Sequence, residues 1–141
     1  IIQLKKLSQW TKDREKNAKI IINRIKNIKC VRSPLPNSNI QNAWYKLYIY
    51  VRSEFLKKDW NRDKILNEIN NMGYPAGSGS CGELYLEKAF RDNGFKNFIP
   101  LKNARELEQS SIMLLIHPTI KDKEIKNYAS AIESVLLKAS N

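Results

Sequence analysis

The residues best suited to chemistry crowd into one stretch, Gly79-Ser80-Cys81-Gly82-Glu83-Leu84-Tyr85, with the sole histidine, His117, farther along in Ile116-His117-Pro118-Thr119. A hydroxyl, a thiol, a carboxylate, a phenol and an imidazole could between them supply a nucleophile, an acid and a base. Their spacing marks no nucleophile–base pair of a kind that sequence alone reveals. Gly77-Ser78-Gly79-Ser80 lacks the preceding strand, the lysine and the helix that make a glycine-rich stretch a phosphate cradle, so it reads as a linker or pocket wall. Each reactive group also has a plain structural use. Cys81 is expected to behave as a small buried hydrophobe, and Glu83 to sit near a helix amino terminus where the dipole favours it. Tyr85 can simply pack, and His117 can hydrogen-bond backbone rather than move protons. Two cysteines far apart, Cys30 and Cys81, with no CxxC pair and one histidine leave no basis for a metal site. They are read as free thiols in a reducing compartment, and so as a cytoplasmic protein.

Composition narrows the partners. The formal charge of +11, from 25 basic and 14 acidic residues, invites a nucleic-acid reading. The lysines, however, are scattered between the apolar positions of every helical segment, with no arginine-rich tract, which describes a solvated surface; no nucleic-acid partner is expected. Nothing approaches the run of about 18 apolar residues that a membrane span requires, and no membrane partner is expected.

The elements that must position these groups follow from hydrophobic spacing. Leu4, Leu7, Trp10, Ala18, Ile21, Ile22, Ile25 and Ile28 recur mostly at three or four residues, which predicts one long amphipathic helix over about 3–28. Pro34, Pro36, Asn37, Ser38 and Asn39 make 32–41 a connecting loop. The alternation over 44–51 predicts a strand whose second face, with Trp44, Tyr48 and Tyr50, is aromatic enough to need cover. Asn61 can cap a helix carrying Ile65, Leu66, Ile69 and Met72, ended by Gly73. Tyr74-Pro75-Ala76 should be extended. Helical turns fit 83–90, closed by Asn93-Gly94, and a short helix fits 103–108, with Asn103 and Glu106 at capping-box spacing. Residues 112–116 read as a strand buried on both faces, and 122–139 as a helix with Ile125, Tyr128, Ala129, Ile132, Val135 and Leu136 on one stripe. The order implies an α+β fold, a small, mostly antiparallel sheet with helices on one side, forming a single domain. The subdomain proper occupies about 43–139. The chain begins inside a helical pattern without methionine and is read as a fragment of a larger protein.

Several segments together resemble a known family. Gln3-Leu4-Lys5-Lys6-Leu7, Arg14 with Asn17-Ala18, Ala43-Trp44-Tyr45-Lys46-Leu47-Tyr48, Ser80 through Phe90, Ala104-Arg105-Glu106-Leu107 and His117-Pro118-Thr119-Ile120 are similar, in order and interval, to the carboxy-terminal portion of the DegT/StrS-type sugar aminotransferases. The resemblance covers nearly the whole chain. It implies the carboxy-terminal small domain of a pyridoxal-phosphate enzyme of the aspartate-aminotransferase fold type. Such an enzyme works as a homodimer, takes an amino group from an amino acid and transfers it to a nucleotide-linked keto sugar. It implies also that the lysine carrying the cofactor, and most cofactor ligands, lie in an amino-terminal catalytic domain. The present residues would then include no catalytic and no cofactor-binding groups, hold no pyridoxal phosphate alone and catalyse nothing alone. Their share would be to close one wall of the active site, with Ser80, Cys81, Glu83, Tyr85 and His117 as candidates to face the substrate pocket. Related sequences often carry His where this one has Asn42, which keeps hydrogen bonding but removes a titratable group.

Two other readings remain open at this point. One is a stand-alone basic α+β module that binds an anionic partner; a contiguous lysine patch would favour it, whereas an exposed apolar face along Leu4, Leu7 and Trp10 would favour a missing domain. The other is a dehydratase or regulatory homologue of the same family, which the upstream lysine or its replacement would decide.

Overall fold

The computed structural model describes residues 2–94 and 99–141. Its first element, α1 (Ile2–Ile25), buries only its carboxy-terminal half, through Asn17, Ala18, Ile21, Ile22 and Ile25. The helix stops three residues short of the expected boundary, yet Ile28 is still buried. The turn that ends the helix keeps this side chain pointed into the core.

A short β1 (Val31–Arg32) follows, then the proline-containing connection and β2 (Leu47–Val51). The strand starts later than 44 because Trp44 has φ 50°, a conformation a bulky aromatic seldom adopts. Asn42 holds that turn by accepting the Trp44 N–H through Oδ1 at 2.7 Å, and the turned Trp44 side chain is buried. The polar capacity kept at Asn42 is thus spent on the backbone.

Asn61 caps α2 (Arg62–Asn71) as its sequence suggests, with Oδ1 accepting the Lys64 N–H at 2.8 Å, and Gly73 takes φ 84° just after the helix. Met72 is not on the buried stripe, being 47% exposed, because the helix has ended before it. The stretch read as irregular glycine–serine linker is in part β3 (Ala76–Ser78), and β4 (Ser111–Leu114) is the strand expected at 112–116. That strand is shorter than expected: Leu115 is 39% exposed, and Ile116 alone of its last residues returns to the core. Last comes α5 (Asp122–Ala139), with the bounds and the stripe that its spacing predicts.

The strands form one antiparallel sheet in the order β1-β2-β4-β3. Register puts Leu47 beside Leu114 and Ile49 beside Ile112 on one face, with Val31 and Val51 paired at the edge. This face and the stripes of α1, α2 and α5 share a single core. The three long helices therefore lie on one side of the sheet, as an α+β layer pair requires. The second face carries Tyr48, Tyr50 and Met113 and is half covered: the Arg32 guanidinium lies 4.3 Å from the Tyr50 ring centre, while Tyr48 stays 37% exposed.

Between β3 and β4 the chain makes a long excursion. It contains a 3₁₀ turn (Leu84–Leu86), α3 (Lys88–Asp92), closed by Gly94 at φ 76°, and α4 (Lys102–Ser110). Among its described residues only Glu83 is buried.

Candidate functional site

The excursion leaves the sheet at Gly79, whose N–H is donated to the Ser111 carbonyl at 3.3 Å. Ser80 follows with its N–H donated to Ser111 Oγ at 2.8 Å, and its own hydroxyl turns to the Cys81 carbonyl. Ser111 is fully buried at the start of β4 and so anchors both residues. Close approach requires Gly79, since a Cβ there would come within 2.8 Å of Ser111 Cβ and Oγ. With the N–H groups of Gly79 and Ser80 spent on Ser111, this glycine–serine stretch does not form the fan of free backbone donors that cradles a phosphate.

Glu83 and Tyr85 come together, in a role other than the one expected. Glu83 is 4% exposed, and its carboxylate serves α4 rather than the turn it precedes. Oε1 accepts the Leu101 N–H at 2.7 Å, the first backbone donor at that helix end. Oε2 accepts from Arg105 Nε at 2.7 Å and lies 2.6 Å from its Nη2, so two guanidinium nitrogens converge on this one oxygen in a charge-assisted contact. The Tyr85 hydroxyl donates to Oε1 as well and lies within hydrogen-bond reach of the Ile99 carbonyl and the Leu101 N–H. Asn103 is therefore not the cap: Leu101 occupies that position without a capping side chain of its own, and Glu83 supplies the acceptor from across the loop. The Tyr85 hydrogen bond, reinforced by Leu101 N–H and Arg105 against the opposing cost of burial, holds the Glu83 carboxyl below the usual carboxylate range. Burial and the adjacent Glu83 push the Tyr85 phenol up. An ionised, fully engaged carboxylate and a protonated phenol make a clamp and leave no free acid or base.

Cys81 is exposed, contrary to its expected burial, because the backbone from Ser80 to Gly82 passes over the surface before Glu83 turns in; the buried thiol is Cys30. His117 does not join the group. It lies beyond the opposite end of β4, exposed, with Nδ1 2.7 Å from Thr119 Oγ1, and its carbonyl accepts Asn17 Nδ2 at 3.0 Å. Sequence reading missed the two residues that organise the site, Arg105 and Ser111. Arg105 stands 22 positions from its partner, beyond any local pattern. Among the described residues no group of three or more His, Cys, Asp or Glu is placed to hold a metal ion, and no helix is long and apolar enough to cross a membrane.

The four-stranded antiparallel sheet with its helical side is an architecture found in aminotransferase structures. The closely similar aminotransferase of Psychrobacter cryohalolentis superposes with a TM-score of 0.90 at 39% identity, over 99% of this chain and 38% of that one. Helicobacter pylori PseC, an aminotransferase involved in pseudoaminic acid biosynthesis, gives 0.82 at 19% identity, over 96% of this chain and 35% of that one. The Escherichia coli GDP-4-keto-6-deoxy-D-mannose-3-dehydratase, solved with bound hydrated PLP, gives 0.73 at 18%, over 96% and 33% respectively. No curated protein sequence matches significantly. The model of the DegT/DnrJ/EryC1/StrS aminotransferase family matches residues 1–133, and the chain belongs to that family. It spans little more than a third of the length of the solved chains it matches.

Proposed function

We propose that this chain is the carboxy-terminal small domain of a pyridoxal-phosphate-dependent enzyme that aminates a keto sugar, most simply a nucleotide-linked one, at the expense of an amino acid. The cofactor, held by residues of a separate amino-terminal catalytic domain, would supply the carbonyl that carries the amino group. The residues of this chain do mechanical work. Glu83 and Arg105 hold the Ser80–Tyr85 segment against the start of α4, and Ser111 pins its root to the sheet, so that a wall of fixed shape orients substrate and excludes water.

One observation carries the reading. The amino-terminal half of α1 leaves Ile2 73%, Leu4 70% and Leu7 48% exposed, beside a groove of about 760 Å³ that Ile40 and Trp44 also line. Apolar surface of this kind on a helix whose other half is a core element is the expected face of a missing domain. It disfavours the stand-alone basic module. A working dimer in the cytoplasm is part of the same proposal.

The test uses the complete polypeptide that carries this chain. Purified with pyridoxal phosphate, it should convert an amino acid to its oxo acid in step with amination of a nucleotide keto sugar. Deoxygenation of the sugar without amination would instead establish the dehydratase reading, and a polypeptide with no cofactor-binding domain would overturn both.

A further inference from the structure

Beyond the end of α1 the surface changes in electrostatic character. From Lys16 to the end of the helix each basic side chain has an acidic partner: Lys16 lies 2.6 Å from Asp122, Lys19 2.7 Å from Glu15, and Arg24 2.6 Å from Glu133. Past Ile25 the pairing stops. Lys26 and Lys29, from the turn into β1, and Arg32 and Arg52, from the paired ends of β1 and β2, line one cavity of about 540 Å³. No carboxylate lines it, and among the described residues none of these four cations makes an ion pair.

Two of the four are held in place. Val31 and Val51 face each other across the ladder, and the Arg52 N–H is donated to the Cys30 carbonyl at 2.8 Å, so both arginines leave neighbouring strands at fixed points. The Arg32 guanidinium is further constrained by its stacking on Tyr50. Like charges gathered around one concavity repel, and a bound anion relieves that repulsion. Both arginines also border a second cavity, of about 440 Å³, but Glu54 and Glu106 line that one, so the anion belongs in the first.

We propose that this groove binds a small phosphorylated ligand carrying at least two negative charges. Planar guanidinium forks match phosphate oxygens two at a time, and the lysines add mobile point charges. The volume suits a small molecule. An apolar floor of Ile22, Ile28 and Val31 accommodates an organic group next to the phosphates. Nothing in this assignment depends on transamination.

Inorganic pyrophosphate, titrated calorimetrically into the complete polypeptide, is the test. Saturable binding is expected with a Kd below about 1 mM, weaker at high salt. Arg52→Gln and Lys29→Gln should each weaken it at least about fivefold, whereas Lys58→Gln, at an exposed lysine outside the cavity, should not. Lys29 and Arg52 are exposed, so both variants should fold, and an unchanged circular dichroism spectrum verifies it. Absence of saturable binding, equal binding by the Arg52 and Lys29 variants, or equal affinity for sulfate would overturn the proposal. So would binding confined to phosphatidylserine vesicles or to RNA, since that would assign the cations to a macromolecular surface.

Discussion

The sheet with its three long helices and the excursion between β3 and β4 are built on different principles. In the first region Ile21, Ile49, Ile65, Ile112, Ile125 and Ile132 are fully buried, and burial is spread over elements far apart in sequence. In the second, the described residues from 79 to 110 bury one side chain, Glu83, and leave Leu84, Leu86, Ile99 and Leu101 half or more exposed. One region is held by apolar area removed from water; in the other, the described residues are held mainly by a charged clamp and the hydrogen bonds at its root. Regions so different are expected to open separately, the excursion locally and the core only with global unfolding.

The two cysteines test that separation with the largest expected effect, because one lies in each region. Cys81 is exposed, whereas Cys30 is fully buried with Sγ 3.5 Å from the Leu136 carbonyl, and burial pushes its thiol pKa up. Under native conditions a maleimide should modify Cys81 at once. Cys30 should react slower by at least about a thousandfold, through the unfolded fraction alone. Comparable rates at the two thiols, followed by mass spectrometry, would mean that the core opens as readily as the excursion.

Legibility in the sequence divides along the same line. The core was readable because burial there is periodic: α5 has its expected bounds and stripe, Asn61 caps α2, and Ile65, Ile69 and the second half of α1 are buried as their spacing predicts, although Met72, Leu4 and Leu7 are not. Even there the two-residue β1 escaped, being too short for any pattern, and so did the turned Trp44, which depends on one Asn42 hydrogen bond. In the excursion the helical turns near 83–90, their closure at Gly94 and the short helix near 103–108 were readable too, but not what ties them together. Its organising contact joins Glu83 to Arg105 across a loop, and the same spacing is equally compatible with two solvated charges. Cys81 failed as a core residue for a related reason: composition favours burial of a cysteine, but among the described residues of the excursion no apolar side chain is buried to form a core around it.

A smaller effect separates two glycines at the root of the excursion. At Gly79 an added methyl group meets buried Ser111 atoms at 2.8 Å and Tyr48 Cδ1 at 3.0 Å, neither of which can retreat without disturbing the sheet. Gly79→Ala should therefore cost about 1–3 kcal/mol in denaturant unfolding. At Gly82 the methyl group would come within 2.0 Å of Glu108 Oε2, a closer approach on paper. Glu108 is exposed and can swing aside, so Gly82→Ala should stay within about 0.5 kcal/mol. A reversed order would show that Ser111, rather than Glu108, is the adaptable partner.

The smallest effect on global stability, and the sharpest on the comparison, belongs to Glu83. Its carboxyl titrates below the ordinary value, so the stabilisation it gives is complete above the unfolded carboxylate pKa of about 4.3 and is lost as pH falls through the lower folded value. Acid should thus release α4 before it disturbs α5, seen as amide resonances of residues 101–110 shifting below about pH 4 while those of residues 122–139 hold. Glu83→Gln should reproduce this at neutral pH, because a neutral amide keeps one acceptor for the Leu101 N–H but cannot pair with the Arg105 guanidinium. Exchange of the α4 amides should rise by about tenfold or more with the thermal midpoint nearly unchanged. A variant that instead lowered the midpoint and exposed Cys30 would make the clamp a part of the core, and the two regions one cooperative unit.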